Sequence, residues 1–292
     1  MEFSGLDNVV VFHEGYLSGA APQDKSGFRA LRDLGVRTII SVDGAVPSVD
    51  EAKAFGLRYI HLPVGYGGFN RDRSLELASA TRKFIQDGAV YVHCHYGKHR
   101  SAAVAGAVTV MLGWQSPDEA IFRMRIAGTS PRYTGLYACV ADAVRVDDTT
   151  LDEHTVDFTS VWQPSSFTSG MIEMAKSLDR LRLMEQAGWE APLDHPDLAP
   201  VAEAGFLADL HRILASNSLT SGQPAEFSRR FDVAIMESSE LESLLLSSSA
   251  DHERLSSQLD SIVSSCAGCH DRYRIGESLV FVEERPNSLD LD

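Results

Sequence analysis

Apolar positions along this chain keep two different rhythms. From residue 8 to residue 145, short β-branched runs alternate with amphipathic stretches. NVVVF (8–12), residues 16–18, VRTIISVDG (36–44), LRYIHLPV (57–64) and AVYVHC (89–94) read as strands. Between them, SGFRALRDLG (26–35), SVDEAKAFG (48–56, with Ser48 as N-cap) and SLELASATRKFIQDG (74–88) read as helices that end at glycine. GYGGFNRDR (65–73) is a loop by its glycines, and helical patterns follow at 100–113, 116–127 and 130–145. Strands alternating with helices predict an α/β domain, a largely parallel central sheet flanked by helices.

After residue 146 the period becomes helical. Four amphipathic segments are predicted, at 166–187, 198–216, 225–246 and 251–275. The first carries Phe167, Met171, Met174, Leu178 and Leu181 on one stripe. The last carries Leu255, Leu259, Ile262, Cys266, Cys269 and Tyr273 at alternating spacings of four and three. Short connections between four such helices predict an all-α four-helix bundle. A strand is expected only at LVFVEE (279–284).

Charge sharpens the division. Residues 1–150 contain 16 Lys+Arg and 16 Asp+Glu, whereas the remainder contains 10 and 25, so the whole net charge of −15 lies in the second part. That acidity argues against nucleic acid or an anionic membrane as partner. No apolar run is long enough for a membrane span. The N-terminus lacks the basic start and apolar run of a signal peptide, which as given implies a cytoplasmic chain.

The candidate chemistry begins at HCHYGKHRS (93–101), between the last strand of the α/β part and the helix that follows. Five residues separate Cys94 from Arg100. A loop of that length, with Gly97 to permit the turn, can direct successive amides inward and form an anion nest at a helix N-terminus. Aligned amides, the helix terminus and a guanidinium all favour thiolate over thiol, so the Cys94 pKa is expected well below the free value. Arg100 can hold two phosphate oxygens at once, which lysine cannot. Phosphoryl transfer to sulfur is the chemistry this suits. Rhodanese-type loops also follow a strand with cysteine, but their basic end typically comes one residue earlier.

The run resembles the H-C-x5-R-S/T signature of cysteine-dependent tyrosine and dual-specificity protein phosphatases, and the similarity covers roughly residues 8–145. The resemblance implies Cys94 as nucleophile and Arg100 as phosphate clamp. Ser101 would assist departure of the thiolate, and His93 would brace the loop. His95, Tyr96, Gly97, Lys98 and His99 complete the phosphate loop; His95, Lys98 and His99 are expected at its rim or on its solvated face. Such enzymes also use a general acid on a preceding loop. In GYGGFNRDRS (65–74) the only carboxylate is Asp72, which reads equally as a helix N-terminal charge or a partner of Arg71 or Arg73. Gly65, Gly67 and Gly68 stand where an acid is commonly found. Cys139 reads as a core cysteine.

A second signature ends the last helix. In SSCAGCHDRYR (264–274), Cys266 and Cys269 lie one turn apart on one face, with His270 one turn past Cys266. Thioether bonds from both cysteines would pin a haem edge and leave His270 to ligate its iron. Zinc and a redox dithiol are the alternatives; zinc lacks an evident fourth ligand, and a redox dithiol prefers a helix N-terminus. C-x-x-C-H-x-x-Y-R at the end of a fourth helix is similar to the cytochrome c-prime family, over residues 165–276. The resemblance implies covalent haem c on Cys266 and Cys269, His270 as proximal ligand and Arg274 near the haem edge. Met171 and Met174 are candidates for the distal side or for core.

The predicted organisation is therefore a phosphatase-like domain (1–147), a linker (148–164), a cytochrome c-prime-like bundle (165–278) and an acidic tail (279–292). The phosphatase part needs no cofactor. Its expected substrates are phosphorylated proteins or small phosphomonoesters, and bundles of this kind often pair as homodimers. Bacteria attach c-type haem outside the cytoplasm, so either a haem-bearing chain is periplasmic, with its start upstream of this Met1, or the bundle is a haem-free relic. The alternative to an enzyme is a haem-based electron carrier or sensor whose phosphatase-like domain only binds phosphate.

Overall fold

A computed structural model describes residues 3–154, 158–161, 167–192, 198–217, 220, 223–247, 250–275 and 278–279. The α/β part contains β1 (Val10–His13), β2 (Tyr16–Ala20), α1 (Lys25–Asp33), β3 (Val36–Ser41), α2 (Val49–Ala54), β4 (Arg58–His61), α3 (Arg71–Phe84), β5 (Ala89–Cys94), α4 (Arg100–Met111), α5 (Pro117–Ile126) and α6 (Thr134–Ala141). One sheet has the order β1-β2-β5-β3-β4; β1 is antiparallel to β2 and every other pair is parallel. Covered on both faces, its inner strands β2, β5 and β3 are buried almost throughout.

β5 is the central strand, and α4 after it is buried along its whole length. Alanine and glycine let α4 run through the core where larger side chains would not fit; Gly106 packs on Val140 of α6. The loop joining β5 to α4 thus connects the two most enclosed elements of the domain. A short helix, α7 (Asp148–Glu153), occupies the start of the segment read as a linker, and its Leu151 is buried. Ser48 precedes α2 as expected but makes no side-chain capping bond.

The second half contains α8 (Phe167–Gln186), α9 (Pro200–Ala215), α10 (Ala225–Leu246) and α11 (His252–Tyr273), within a few residues of the predicted limits. α9 packs on α8 and α10, and α11 packs on α10 and α8, so α9 and α11 face each other across the bundle's diagonal. The expected strand at 279–284 and the acidic tail lie almost wholly outside the described residues. No described helix is long and apolar enough to cross a membrane.

The two halves share one continuous hydrophobic core. The bundle sits over the ends of β3 and β4 and the loops that follow them, where missing side chains let it approach. A Cβ on Gly44 would lie 2.9 Å from Ile213, and one on Gly205 would lie 2.9 Å from the Tyr66 ring. Tyr133 donates to Glu242 at 2.7 Å, and Arg132 donates to the Leu245 carbonyl.

Candidate active site and bundle cavity

Cys94 is the last residue of β5 and is buried. Its Sγ lies 3.3 Å from Ser101 Oγ, which is also 3.3 Å from the Gly19 carbonyl. α4 begins at Arg100 without a side-chain cap, so its first-turn amides keep no intrahelical acceptor. Gly97 turns the loop at φ +71°, and a Cβ there would sit 2.2 Å from the Ala20 nitrogen. Asn8 pins the loop from outside, donating to the carbonyls of Gly97 and Ala127 at 2.8 Å each.

His93 is enclosed behind the cysteine. Its Nε2 is 2.8 Å from the Tyr59 hydroxyl and its Nδ1 3.2 Å from the Cys94 carbonyl. Burial pushes its pKa down to about 4, so it braces the loop as a neutral ring. Tyr96 is exposed, and His95 is partly exposed with Nδ1 3.8 Å from Asp43. Lys98 is exposed while its carbonyl accepts from Thr129. His99 departs from the expected rim position. It is buried against the Tyr133 ring, with centroids 4.3 Å apart, and burial pushes it down to about 4.

Arg100 is fully buried. Its guanidinium lies over the Tyr66 ring at 4.1 Å and donates to the Tyr66 hydroxyl at 3.1 Å and to Asp43 at 3.3 Å. It also donates through both terminal nitrogens to Asp209 of α9, a bidentate pair joining the two halves of the chain. Arg212 holds the same Asp209 from one turn further along α9. Two arginines thus face two carboxylates, a balanced cluster out of water.

The carboxylates respond differently. Burial alone would raise Asp43, but Arg100 and Arg212 beside it hold its carboxyl well below the usual range. Burial pushes Asp209 up to about 6, with the neighbouring arginines offsetting part of the rise. Burial also raises Glu242, which accepts from Tyr133.

The residues expected to supply acid chemistry are placed elsewhere. Asp72 is exposed in the first turn of α3, where a negative charge suits the helix N-terminus. The glycine-rich loop delivers Tyr66 to the site instead. Asp43, Tyr66, Asp209 and Arg212 were not singled out from sequence. Asp43 follows β3 at the carboxyl end of the sheet, where α/β folds gather ligands. In sequence Asp209 shows only as a charge one turn before Arg212, with Phe206 and Ile213 on the same side of α9. Cys139 is partly buried and takes the Phe69 amide at 3.2 Å, as a structural thiol does.

The C-x-x-C-H run borders an apolar cavity inside the bundle. Met171, Met174, Leu178 and Phe231 give it apolar walls, Cys266, Cys269 and His270 lie on one side, and Arg230 and His211 supply the polar atoms. Burial pushes the Cys266 thiol up to about 11 and raises Cys269 as well, the opposite of a reactive dithiol. Among the described residues, no cluster of three or more His, Cys, Asp or Glu side chains is arranged to hold a metal ion by itself.

No family model and no curated protein matches the sequence. Among solved structures the chain is similar to P. aeruginosa TpbA, at 17% identity and a TM-score of 0.42, covering 51% of this chain and 88% of that one. It is also similar to Tk-PTP in its active form, at 16% identity and a TM-score of 0.41, covering 47% and 98%. PTPMT1 shares 23% identity at a TM-score of 0.38, covering 46% and 95%. One TpbA structure is of a complex with pTyr. The fold class itself stands on strand order and helix packing: a mostly parallel five-stranded sheet flanked by helices, followed by a four-helix bundle.

Proposed function

We propose that this chain is a cysteine-dependent phosphatase, hydrolysing phosphomonoesters of the phosphotyrosine, phosphoserine or phosphothreonine type, joined to a bundle that carries covalent haem c. The observation that carries the enzyme reading is Cys94 Sγ at the end of β5, 3.3 Å from Ser101 Oγ, with the α4 N-terminus and Arg100 beside it. The thiolate of Cys94 attacks phosphorus, and the ester oxygen leaves with the bonding pair. Water then attacks the thiophosphate, and the sulfur departs as thiolate, its charge met by the Ser101 hydroxyl.

In the resting chain the guanidinium nitrogens that would hold phosphate oxygens hold Asp209 instead. Substrate phosphate must displace that carboxylate. Asp72 is exposed on α3, so leaving-group protonation is the weakest part of the machinery, and activated aryl esters are the substrates it serves best. The test is release of an aryl alcohol from its phosphate by the full-length protein, inhibited by vanadate and lost in Cys94→Ser.

A second reading is favoured by the same Arg100–Asp209 pair: an electron carrier or sensor whose phosphatase-like domain binds phosphate without turnover. Phosphate binding with no hydrolysis of any aryl ester would select it.

The haem reading rests on the cavity. Its apolar walls suit a porphyrin, Cys266 and Cys269 would hold the group, His270 would ligate it and Arg230 would meet a propionate. An orphaned buried nitrogen on His211 fits the same occupant. Bound haem would supply one-electron or gas-binding chemistry. A pyridine haemochrome spectrum of protein matured with a haem-attachment system tests it.

A further inference from the structure

Two residues apart on α9, Asp209 and His211 lie on nearly opposite sides of the helix, about 200° around its axis. Asp209 reaches Arg100, and His211 faces into the bundle. His211 is 1% exposed and borders the cavity of Cys266, Cys269 and His270. Its Nδ1 lies 3.0 Å from Ser238 Oγ on α10. The Ser238 hydroxyl gives its own proton to the Ala234 carbonyl, so towards the imidazole its oxygen can only accept. The Leu207 carbonyl, one turn back on α9, is a second acceptor for the ring. The proton therefore sits on Nδ1, and Nε2 carries a lone pair. Nε2 is buried and has no hydrogen-bond partner among the described residues.

A buried polar atom left unpaired costs about 1–3 kcal/mol. A histidine whose Nδ1–H is fixed by a hydroxyl and whose Nε2 is left over has the arrangement of a metal ligand held by its outer partners. It stands on α9, the helix diagonally across the bundle from α11 and its C-x-x-C-H run.

We propose that His211 Nε2 is the second axial ligand of the haem iron, on the face opposite His270. This rests on the haem reading above. Ser238 is its positioning residue, fixing the tautomer. The holoprotein is then six-coordinate and low-spin, unlike an open gas-binding site.

The experiment is optical and electron paramagnetic resonance spectroscopy of the full-length, haem-matured protein and its variants. The parent should be low-spin. His211→Ala should be high-spin, bind carbon monoxide in the ferrous state at least tenfold faster, and regain a low-spin spectrum on adding imidazole. His211→Met keeps the core filled and should raise the reduction potential by exchanging imidazole for thioether. A high-spin parent, or a His211→Ala spectrum identical to a low-spin parent, overturns the ligand assignment while leaving haem in place. Protein that carries no covalent haem after maturation overturns the cofactor reading, and the ligand with it.

Discussion

Asp209 and Arg100 form a bidentate, fully buried ion pair between α9 of the bundle and the first residue of α4. A carboxylate held this way takes both donors that a phosphate would need. Replacing Asp209 with asparagine keeps the shape and removes the competing charge; Asp43 and Tyr66 still hold the guanidinium. Asp209→Asn should lower the KM for an aryl phosphate by roughly tenfold, corresponding to ~1.4 kcal/mol of competition relieved. Steady-state kinetics on the full chain checks this. An unchanged or higher KM would show that the carboxylate does not compete.

The same pair implies a pH response. Asp209 has a folded pKa pushed up to about 6, above its ordinary value near 4. Ionising it subtracts from stability as pH rises through that window, and protonating it as pH falls releases Arg100. Asp43 stays ionised throughout, while His93 and His99, pushed down to about 4, stay neutral until near the lower limit. Sulfate, whose charge is constant over this range, should bind more tightly as pH drops from 7 to 5. Titration calorimetry should show that gain in the parent and a markedly smaller one in Asp209→Asn. The remainder in the variant reports His95 and Glu242, which also face the cluster.

Ser101 Oγ sits 3.3 Å from the sulfur and donates to the Gly19 carbonyl at rest; turning that proton to the sulfur would stabilise a departing thiolate. Ser101→Ala should leave the first step nearly intact and slow hydrolysis of the thiophosphate by about tenfold, as expected for one hydrogen bond to a charged group. Rapid-mixing kinetics would then show a burst of aryl alcohol before a slow steady state. A uniform fall in both phases would place Ser101 in loop structure alone.

Gly97 has no room for a side chain. A Cβ would meet the Ala20 nitrogen and the Gly19 carbonyl carbon at 2.2 Å, in a left-handed conformation. Gly97→Ala should cost about 1–3 kcal/mol from backbone strain, with the clash adding to it. Urea denaturation measures the loss.

Tyr133 and Glu242 tie α10 to the α/β part at 2.7 Å. Tyr133→Phe leaves Glu242 buried with one donor fewer, at a cost of about 1–3 kcal/mol. If the two halves unfold as one unit through their shared core, a single cooperative transition should shift. Two transitions, with only one of them moved, would show that the halves unfold separately.

The leaving group offers a further check. With no carboxylate on the loop at 65–70 and Asp72 exposed on α3, Asp72→Asn should change turnover by less than about twofold, within the range of a surface substitution. Turnover should fall steeply from activated aryl phosphates to phosphotyrosine. A loss of ~100-fold in Asp72→Asn, the scale of general-acid catalysis, would place Asp72 in proton transfer instead.

Local pattern determined much of this protein. β-branched runs between amphipathic stretches set the parallel sheet, and the alternating stripe through Cys266 and Cys269 set the last helix, because burial on one face imposes its period on the residues. Cys94, Gly97, Arg100 and Ser101 were equally legible, since a strand, a short loop and a helix start fix their relative positions within nine residues. His99 was misplaced because burial depends on what covers a loop, and Tyr133 comes from a distant helix start to cover it. Asp43 and Asp209 reach Arg100 from 57 and 109 residues away. Pairing of β3 with β5 brings Asp43 to Arg100, and only the packing of α9 over the ends of the strands brings Asp209. A charge one turn before Arg212 announces that local pair alone; that Arg100 joins it is decided by the tertiary fold, because opposite charges excluded from water have to meet one another.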